Sequence, residues 1–153
     1  MRAFILFFAT GIYSGYAPIA PGTAGSVVGL VVVWLVFGPL WMHSPALCLL
    51  VFAVAFAFAC WISDRAEKIF DNHDDSRIVI DEVLGMAATM FGNPLTFPWL
   101  MAGFLLFRVA DVIKPWPAST IDRRMRNGAG VMLDDLAAAI YANIVLHVLV
   151  RLI

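Results

Sequence analysis

Charge is missing from most of this sequence. No Asp, Glu, Lys or Arg occurs in 3–63, and two more charge-free runs cover 83–107 and 136–150. Nearly all charged residues lie in the two intervening stretches, 64–82 and 108–135. Apolar runs of this length are typical of membrane-embedded helices, and they exclude an ordinary soluble domain. We expect a single membrane-embedded domain over residues 1–153, because the length suits one domain and not two.

Basic charge and metal-binding side chains are also scarce. The net charge of −1 and the absence of a Lys/Arg-rich stripe exclude a typical nucleic-acid-binding surface. Cys48 and Cys60 lie in an apolar run without metal-ligand spacing, so we expect both to be reduced and packed between helices. The three histidines share no metal spacing either, and the acidic run 71–75 lacks the glycine and terminal Glu of a calcium-binding EF-hand loop.

Helix-breaking residues divide the apolar runs into segments. Gly, Pro and Ser residues predict a loop at 16–25, a turn at 43–45 and a bend at Asn93–Pro94. Residues 3–15 are expected to form an embedded or interfacial helix. The other predicted helical segments are 27–42, 46–62, a hairpin within 83–107, and 136–151. Because 83–107 is short for two full spans, we expect a re-entrant hairpin or one packed tightly against its neighbours.

The distribution of Lys and Arg predicts the topology. Five lie in 108–126 and three in 64–82, so the positive-inside rule places both polar stretches in the cytoplasm. The hairpin within 83–107 must then run away from the cytoplasmic face and return to it. Counting the predicted segments backward from there also places the 16–25 loop in the cytoplasm. The sequence therefore predicts an all-α integral membrane bundle whose polar loops converge on the cytoplasmic face. Polar loops that merely face water would give the same pattern.

The first polar cluster is the small-residue loop 18–26, which runs directly into a helix. Backbone N–H groups of Gly22, Thr23, Gly25 and Ser26 can approach an anion at the helix N-terminus, and the two hydroxyls add donors or cap the helix. No Lys follows, so this is not a nucleotide-binding P-loop. A purely structural turn remains an alternative.

Two more clusters flank the hairpin. Asp81 and Glu82 open it, and a carboxylate pair at a membrane boundary is costly unless it is paired or bound to a metal. A simple preference for acidic residues in the first turn is the alternative. Arg108 and Asp111 share a helix face, and Pro115 predicts a helix end at Lys114 that turns this lysine inward. Such a group suits phosphate binding, although an intrahelical ion pair with snorkelling cations is also possible.

The fourth cluster is the pair Asp134–Asp135, which follows a Gly-Ala-Gly sequence and precedes the last predicted helix. One of the two could serve only as an N-cap. Together the clusters contribute five carboxylates, a ligand type that favours Mg²⁺ over zinc. The candidate metal ligands and catalytic residues are Asp81, Glu82, Asp111, Asp134 and Asp135. The candidate substrate-binding residues are Gly22, Thr23, Gly25, Ser26, Arg108 and Lys114.

Four ordered motifs resemble the phosphatidylglycerophosphatase A family. They are Pro-Gly-Thr-Ala-Gly-Ser at 21–26, Asp-Glu-x-x-Gly at 81–85, Phe-Arg-x-x-Asp-x-x-Lys-Pro-x-Pro at 107–117, and Gly-x-Gly-x-Met-x-Asp-Asp at 128–135, with Asp122 between the last two. The sequence departs from the family pattern at Asn127, where the first glycine of a Gly-Gly pair is expected.

The resemblance implies a Mg²⁺-dependent lipid phosphatase of a bacterial cytoplasmic (inner) membrane. It would convert phosphatidylglycerophosphate to phosphatidylglycerol and phosphate, in phospholipid biosynthesis, with its site facing the cytoplasm. Only the resemblance indicates the glycerol headgroup. The residues alone supply a membrane, a carboxylate-rich site and phosphate-binding elements.

Two other classes remain open on the residues. A Mg²⁺-dependent phosphatidyltransferase also uses aspartates near a bilayer, but its Asp-Gly-x-x-Ala-Arg block is absent here. A small transporter or ion-binding module could use intramembrane carboxylates to hold a coupling ion, and inverted repeats, which would favour it, are not found in the sequence.

Overall fold

The structure, a computed structural model, is an all-helical bundle. It describes residues 1–125 and 127–153, and the side chain of Asp122 also lies outside the described part. No strand occurs among the described residues, as the apolar runs predicted. The helices are α1 Arg2–Ala9, α2 Pro21–Val32, α3 Gly38–His43, α4 Pro45–Phe70, α5 Ile80–Met90, α6 Phe97–Ile113, α7 Ala118–Arg124 and α8 Gly128–Leu152. A 3₁₀ turn, Ser14–Tyr16, precedes α2, and a π-helical stretch, Val33–Phe37, joins α2 to α3.

Three helical stretches of the described chain are long and apolar enough to cross a membrane. They are Pro21–His43, Pro45–Phe70 and Gly128–Leu152. Helix α1 has eight residues and extends about 12 Å, which is less than the roughly 30 Å of a bilayer core. Helix α1 is therefore too short to span a membrane alone. The chain is a helical membrane protein.

Helices α5 and α6 form the expected tight hairpin. The bend lies at residues 91–96, between Met90 and Phe97, and it includes the predicted Asn93–Pro94. Most residues of α5 are buried, and α5 contacts α2, α4, α6 and α8. Asn143 of α8 secures the bend, because its amide donates to the carbonyls of Thr89 at 2.8 Å and Phe91 at 2.9 Å. The short α5 is thus enclosed by protein.

Helices α2 and α5 begin at the same end of the bundle and pack through glycines. A Cβ atom added at Gly25 would lie 2.6 Å from Val79 Cβ, and one added at Gly29 would lie 2.8 Å from Met86 Cβ. Only a residue without a side chain permits this approach. The contacts run in the same chain direction on both helices, so the loop before α2 and the first turn of α5 meet. This parallel arrangement agrees with the parity predicted from the charges.

The last helix begins earlier than predicted. Helix α8 starts at Gly128, and the N-cap is Asn127, whose side-chain oxygen accepts the Gly130 N–H at 2.9 Å. The predicted helix start near 136 was wrong, because Asn127 is a preferred capping residue and permits an earlier start. Neither Asp134 nor Asp135 is an N-cap. Both lie inside the helix and are buried.

The predicted ends of two other segments also change. Helix α4 continues to Phe70, beyond the predicted 62, because its charged final turns still consist of residues that tolerate a helix well. Helix α2 begins at Pro21, inside the predicted 16–25 loop, since proline suits the first position of a helix. Neither Thr23 nor Ser26 caps α2, whose N-cap is Ala20 with no side-chain cap.

The turn between α4 and α5 contains an ion pair between a buried carboxylate and a partly exposed guanidinium. Asp75 is 7% exposed, and its carboxylate accepts Arg77 Nε–H at 2.7 Å and Nη2–H at 2.8 Å. These hydrogen bonds from the Arg77 guanidinium lower the pKa of Asp75 to about 2. The guanidinium also lies over the Phe70 ring, 3.9 Å from its centroid.

We expect Asp75→Asn to lower the free energy of unfolding near neutral pH by about 1–2 kcal/mol. A depressed carboxyl pKa contributes stability above the unfolded-state value, and the contribution is lost as pH falls toward about 2. Thermal unfolding in detergent should therefore show a deficit at pH 7 that shrinks between pH 4 and pH 2. A deficit of constant size across that range would contradict the assignment to this charge.

Candidate active site

Three carboxylates converge between α5 and α8. Each of Asp81, Glu82 and Asp135 presents one oxygen within 4.8 Å of the others. Asp81 is 7% exposed and Asp135 is 5% exposed. Asp81 and Glu82 lie in the first turn of α5, where the helix dipole favours negative charge, and α8 brings Asp135 to them. All three residues are among the five candidates from the sequence, and the tertiary fold brings their carboxylates together.

One buried oxygen of each of these carboxylates accepts no hydrogen bond from the described residues. Asp81 Oδ1, Glu82 Oε2 and Asp135 Oδ2 have no hydrogen-bond partner among the described residues. Buried carboxylate oxygens without donors are costly, and close negative charges repel each other. A divalent cation relieves both costs, so the donor set fits a hard metal ion such as Mg²⁺.

The other two candidate carboxylates are paired with cations. Arg108 Nη1 lies 2.6 Å from Asp111 Oδ2, one helical turn away on α6, and 3.7 Å from Glu82 Oε1. The guanidinium therefore lies at the edge of the three-carboxylate cluster, held between α5 and α6.

Lys114 turns inward, as Pro115 predicted. Helix α6 ends at Ile113, and Lys114 adopts the left-handed conformation with φ 47°. Its Nζ lies 2.5 Å from Asp134 Oδ2 on α8. The lysine is partly exposed, whereas the Asp134 side chain is 4% exposed. The Lys114 ammonium is thus placed beside a buried carboxylate, at a partly exposed position.

The N-terminus of α2 contacts this group at Gly22. A Cβ atom there would lie 2.2 Å from Glu82 Oε1 and 3.2 Å from each terminal nitrogen of Arg108. The backbone of the loop therefore lies directly against the carboxylate and the guanidinium. This contact places the positive end of α2 next to the two groups, which suits an anion.

The remaining candidates of the loop differ in position. Ser26 is fully buried, and its hydroxyl donates to the Gly22 carbonyl at 2.9 Å. Gly25 packs on Val79, one residue before α5. Thr23 is half-buried, and its N–H donates to the Ala20 carbonyl at 3.0 Å. These three residues therefore shape the start of α2, and Gly22 brings that start into contact with the charged groups.

Asn127 caps the helix that carries Asp134 and Asp135, and the sequence motifs did not predict this role. The sequence marked it only as a departure from the family pattern, but it starts α8 seven residues before Asp134. Helix α8 then carries Asp134, which pairs with Lys114, and Asp135, which meets the carboxylates of α5. The signal was available, because Asn is among the strongest N-cap residues and is followed here by small residues.

Fold and charged cluster together define a membrane-embedded helical protein with an acidic centre that could hold a metal ion, beside the N-terminus of a helix. The family model described as Phosphatidylglycerophosphatase A matches residues 7–150. The chain belongs to the phosphatidylglycerophosphatase A family. The resemblance drawn from the four motifs is confirmed.

Relatives of the chain match over most of their length. A phosphatidylglycerophosphatase A of Haemophilus influenzae is 35% identical, over 92% of this chain and 85% of the relative. A protein of the same name from Escherichia coli is 34% identical, over 91% of this chain and 79% of the relative. A Bacteroides thetaiotaomicron protein, 33% identical over 91% of this chain and 89% of its own, carries the provisional name phosphatidylinositol-3-phosphatase. No solved structure matches the chain.

Proposed function

We propose that this protein is a Mg²⁺-dependent lipid phosphatase that hydrolyses phosphatidylglycerophosphate to phosphatidylglycerol and phosphate. The observation that carries the proposal is the meeting of three carboxylates, two of them buried and Glu82 partly buried, with Arg108 and the α2 N-terminus, in a membrane bundle of this family. Phosphate monoesters need both a cation and anion-binding groups, and this centre has candidates for each.

The charge of the centre supports a requirement for a cation. Five carboxylates surround two basic side chains, so the protein groups alone carry an excess of negative charge. A phosphate monoester is itself close to a dianion at neutral pH. Without a cation the centre would repel its substrate.

The residues divide into two roles. Asp81, Glu82 and Asp135 would hold Mg²⁺, with Asp111 and Asp134 as further carboxylates of the centre. When bound there, Mg²⁺ would supply Lewis-acid polarisation of a phosphoryl oxygen and a lower pKa for a water molecule. Arg108 and Lys114 are placed to offset negative charge on the phosphoryl oxygens, and the Gly22 end of α2 adds a dipole of the same sign.

Orientation and location are part of the proposal. We infer that the centre lies on the cytoplasmic side of a bacterial inner membrane. The Lys and Arg distribution supports this orientation, and the bacterial relatives support this location. The headgroup would then meet the carboxylates from the cytoplasm, while the acyl chains stay in the bilayer.

The test is phosphate release by purified protein, with phosphatidylglycerophosphate and phosphatidylinositol 3-phosphate offered separately. We expect release from the glycerol lipid with Mg²⁺, a fall of at least about 100-fold with EDTA, and recovery when Mg²⁺ is added back. The inositol lipid is included in the test because one relative is provisionally named a phosphatidylinositol-3-phosphatase. Faster release from it would reassign the substrate and keep the phosphatase. Release that ignores EDTA would overturn the metal requirement.

A further inference from the structure

The bundle contains a cavity, and the contact between α2 and α5 separates this cavity from the carboxylates. This cavity, which we name the apolar cavity, has a volume of about 270 Å³, and helices α1, α2, α4 and α5 form its walls. Phe7, Phe8, Val28, Phe58, Val83 and Leu84 are among its lining residues, which include no charged or hydrogen-bonding side chain. It is too small for a whole lipid but suits part of one hydrocarbon chain.

The apolar cavity and the carboxylate centre share the first turns of α5. Ile80, Val83 and Leu84 line the cavity, while Asp81 and Glu82, between them in sequence, belong to the centre. Successive residues of a helix point in different directions, so this helix separates a charged side from an apolar side. A molecule with a charged head and a hydrocarbon chain matches the two sides.

One continuous segment, residues 11–22, joins the rim of the cavity to the centre. Gly11 and Ile12 line the cavity, and Gly22 contacts Glu82 and Arg108. The backbone of the rim is left-handed at Gly11, Ile12 and Tyr13, with φ values of 51°, 57° and 65°, and this conformation is strained for the two residues that are not glycine. A β-branched residue in this region is an outlier, and such strain persists where the surrounding structure holds it, often at binding sites.

Specific contacts hold that rim in place. The Ile12 N–H donates to Phe7 O at 2.9 Å and the Gly15 N–H donates to Thr10 O at 3.0 Å. Gly15 packs directly on the Arg77 carbonyl, where a Cβ atom would lie 2.1 Å from the oxygen. The mouth of the cavity therefore has a defined position relative to the centre, through the same loop that forms the anion-binding helix start.

We propose that the apolar cavity binds a segment of one acyl chain of the lipid substrate while the phosphorylated headgroup occupies the carboxylate centre. The proposal rests on the proposed function and adds a second subsite to it. It predicts that efficient hydrolysis depends on chain length as well as on the headgroup.

The test compares Ala55→Phe with Ala57→Phe. Both alanines lie on α4, which contributes no side chain to the centre described above, and only Ala55 lines the cavity, whereas Ala57 is exposed. Each variant is assayed in phosphatidylcholine nanodiscs with dioleoyl phosphatidylglycerophosphate, and in solution with the dibutanoyl form, whose chains are too short to fill the cavity.

We expect Ala55→Phe to lower kcat/KM for the dioleoyl lipid at least about fivefold relative to Ala57→Phe, mainly through KM, with the two variants within about twofold of each other on the dibutanoyl form. Equal values on the dioleoyl lipid would overturn the proposal. An equal loss on both substrates would also overturn it, since the effect would not pass through the chain.

Photolabelling gives a second readout if Ala55→Phe does not fold. A dioleoyl-length analogue of the substrate with a diazirine near the end of one chain is irradiated on the wild-type protein in nanodiscs. We expect adducts on Phe8 and Phe58, reduced by unlabelled substrate. Adducts confined to the exposed faces of α6 and α8 would overturn the proposal. If the wild-type protein hydrolyses neither lipid, the proposed function fails, whereas the labelling pattern still reports on the cavity.

Discussion

Asp135→Asn should lower phosphate release from phosphatidylglycerophosphate by at least about 100-fold and weaken binding of Mn²⁺, used as a spectroscopic substitute for Mg²⁺, at least about tenfold. The substitution keeps the shape of the side chain and removes the charge of a carboxylate that lies within 4.8 Å of both Asp81 and Glu82 oxygens. The loss of a buried ligand should affect metal binding and activity together. Phosphate release and Mn²⁺ paramagnetic resonance measure the two effects.

The matched control is Asp71→Asn, the same chemical change in the exposed turn after α4. Asp71 has φ 52°, a conformation that Asn tolerates, so this variant should fold and retain activity within about twofold. If Asp135→Asn loses activity but binds Mn²⁺ as tightly as Asp71→Asn does, Asp135 acts in the reaction without holding the metal. If it retains full activity, the assignment of the centre is wrong.

Gly22→Ala should lower kcat about 10–100-fold while the protein stays folded. The new methyl group would lie 2.2 Å from Glu82 Oε1, a distance that no real contact permits, so α2 or the Glu82 carboxylate must move. Either shift separates the helix N-terminus, the Arg108 guanidinium and the carboxylate cluster by a few tenths of an ångström or more. Steady-state kinetics with phosphatidylglycerophosphate measures the result.

The comparison variant is Gly92→Ala, at the bend of the hairpin. Gly92 has φ 72°, so alanine there is strained and should lower the thermal stability. It lies next to His147 on the opposite end of α5 from the carboxylates, and we expect kcat to remain near the wild-type value. The two glycine variants should therefore separate stability from activity. A loss of kcat in Gly22→Ala no larger than in Gly92→Ala would contradict the role of the α2 contact.

Much of the fold was predictable from the position of charges and helix breakers. The uncharged runs predicted a membrane bundle, and Asn93–Pro94 predicted the hairpin bend because this pair interrupts an apolar run. Helix ends were less accurate. Helix α4 extends to Phe70 and α8 begins at Gly128, because tertiary packing and a single Asn cap determine where a helix ends more than hydropathy does.

The candidate site was predictable as a set of residues but not as an arrangement. Spacing of three predicted the Arg108–Asp111 pair, and Pro115 predicted the inward turn of Lys114. No local pattern indicated that Asp134 would pair with this lysine while its neighbour Asp135 would join Asp81 and Glu82. Their separation follows from the rotation of about 100° between adjacent helical residues, once α8 has its register.

By itself the sequence determined that this protein lies in a membrane, that it is all-helical, and which carboxylate and basic side chains it contains. Hydropathy and residue type are properties of the chain and need no tertiary structure. Only the tertiary structure determined which of those residues contact each other. Gly22 contacts Glu82 only because a row of glycines lets α2 lie against α5, and the apolar cavity exists only where α1 and α4 close around that pair. Contacts between helices distant in the chain depend on crossing geometry and register, and neither is encoded in a local pattern.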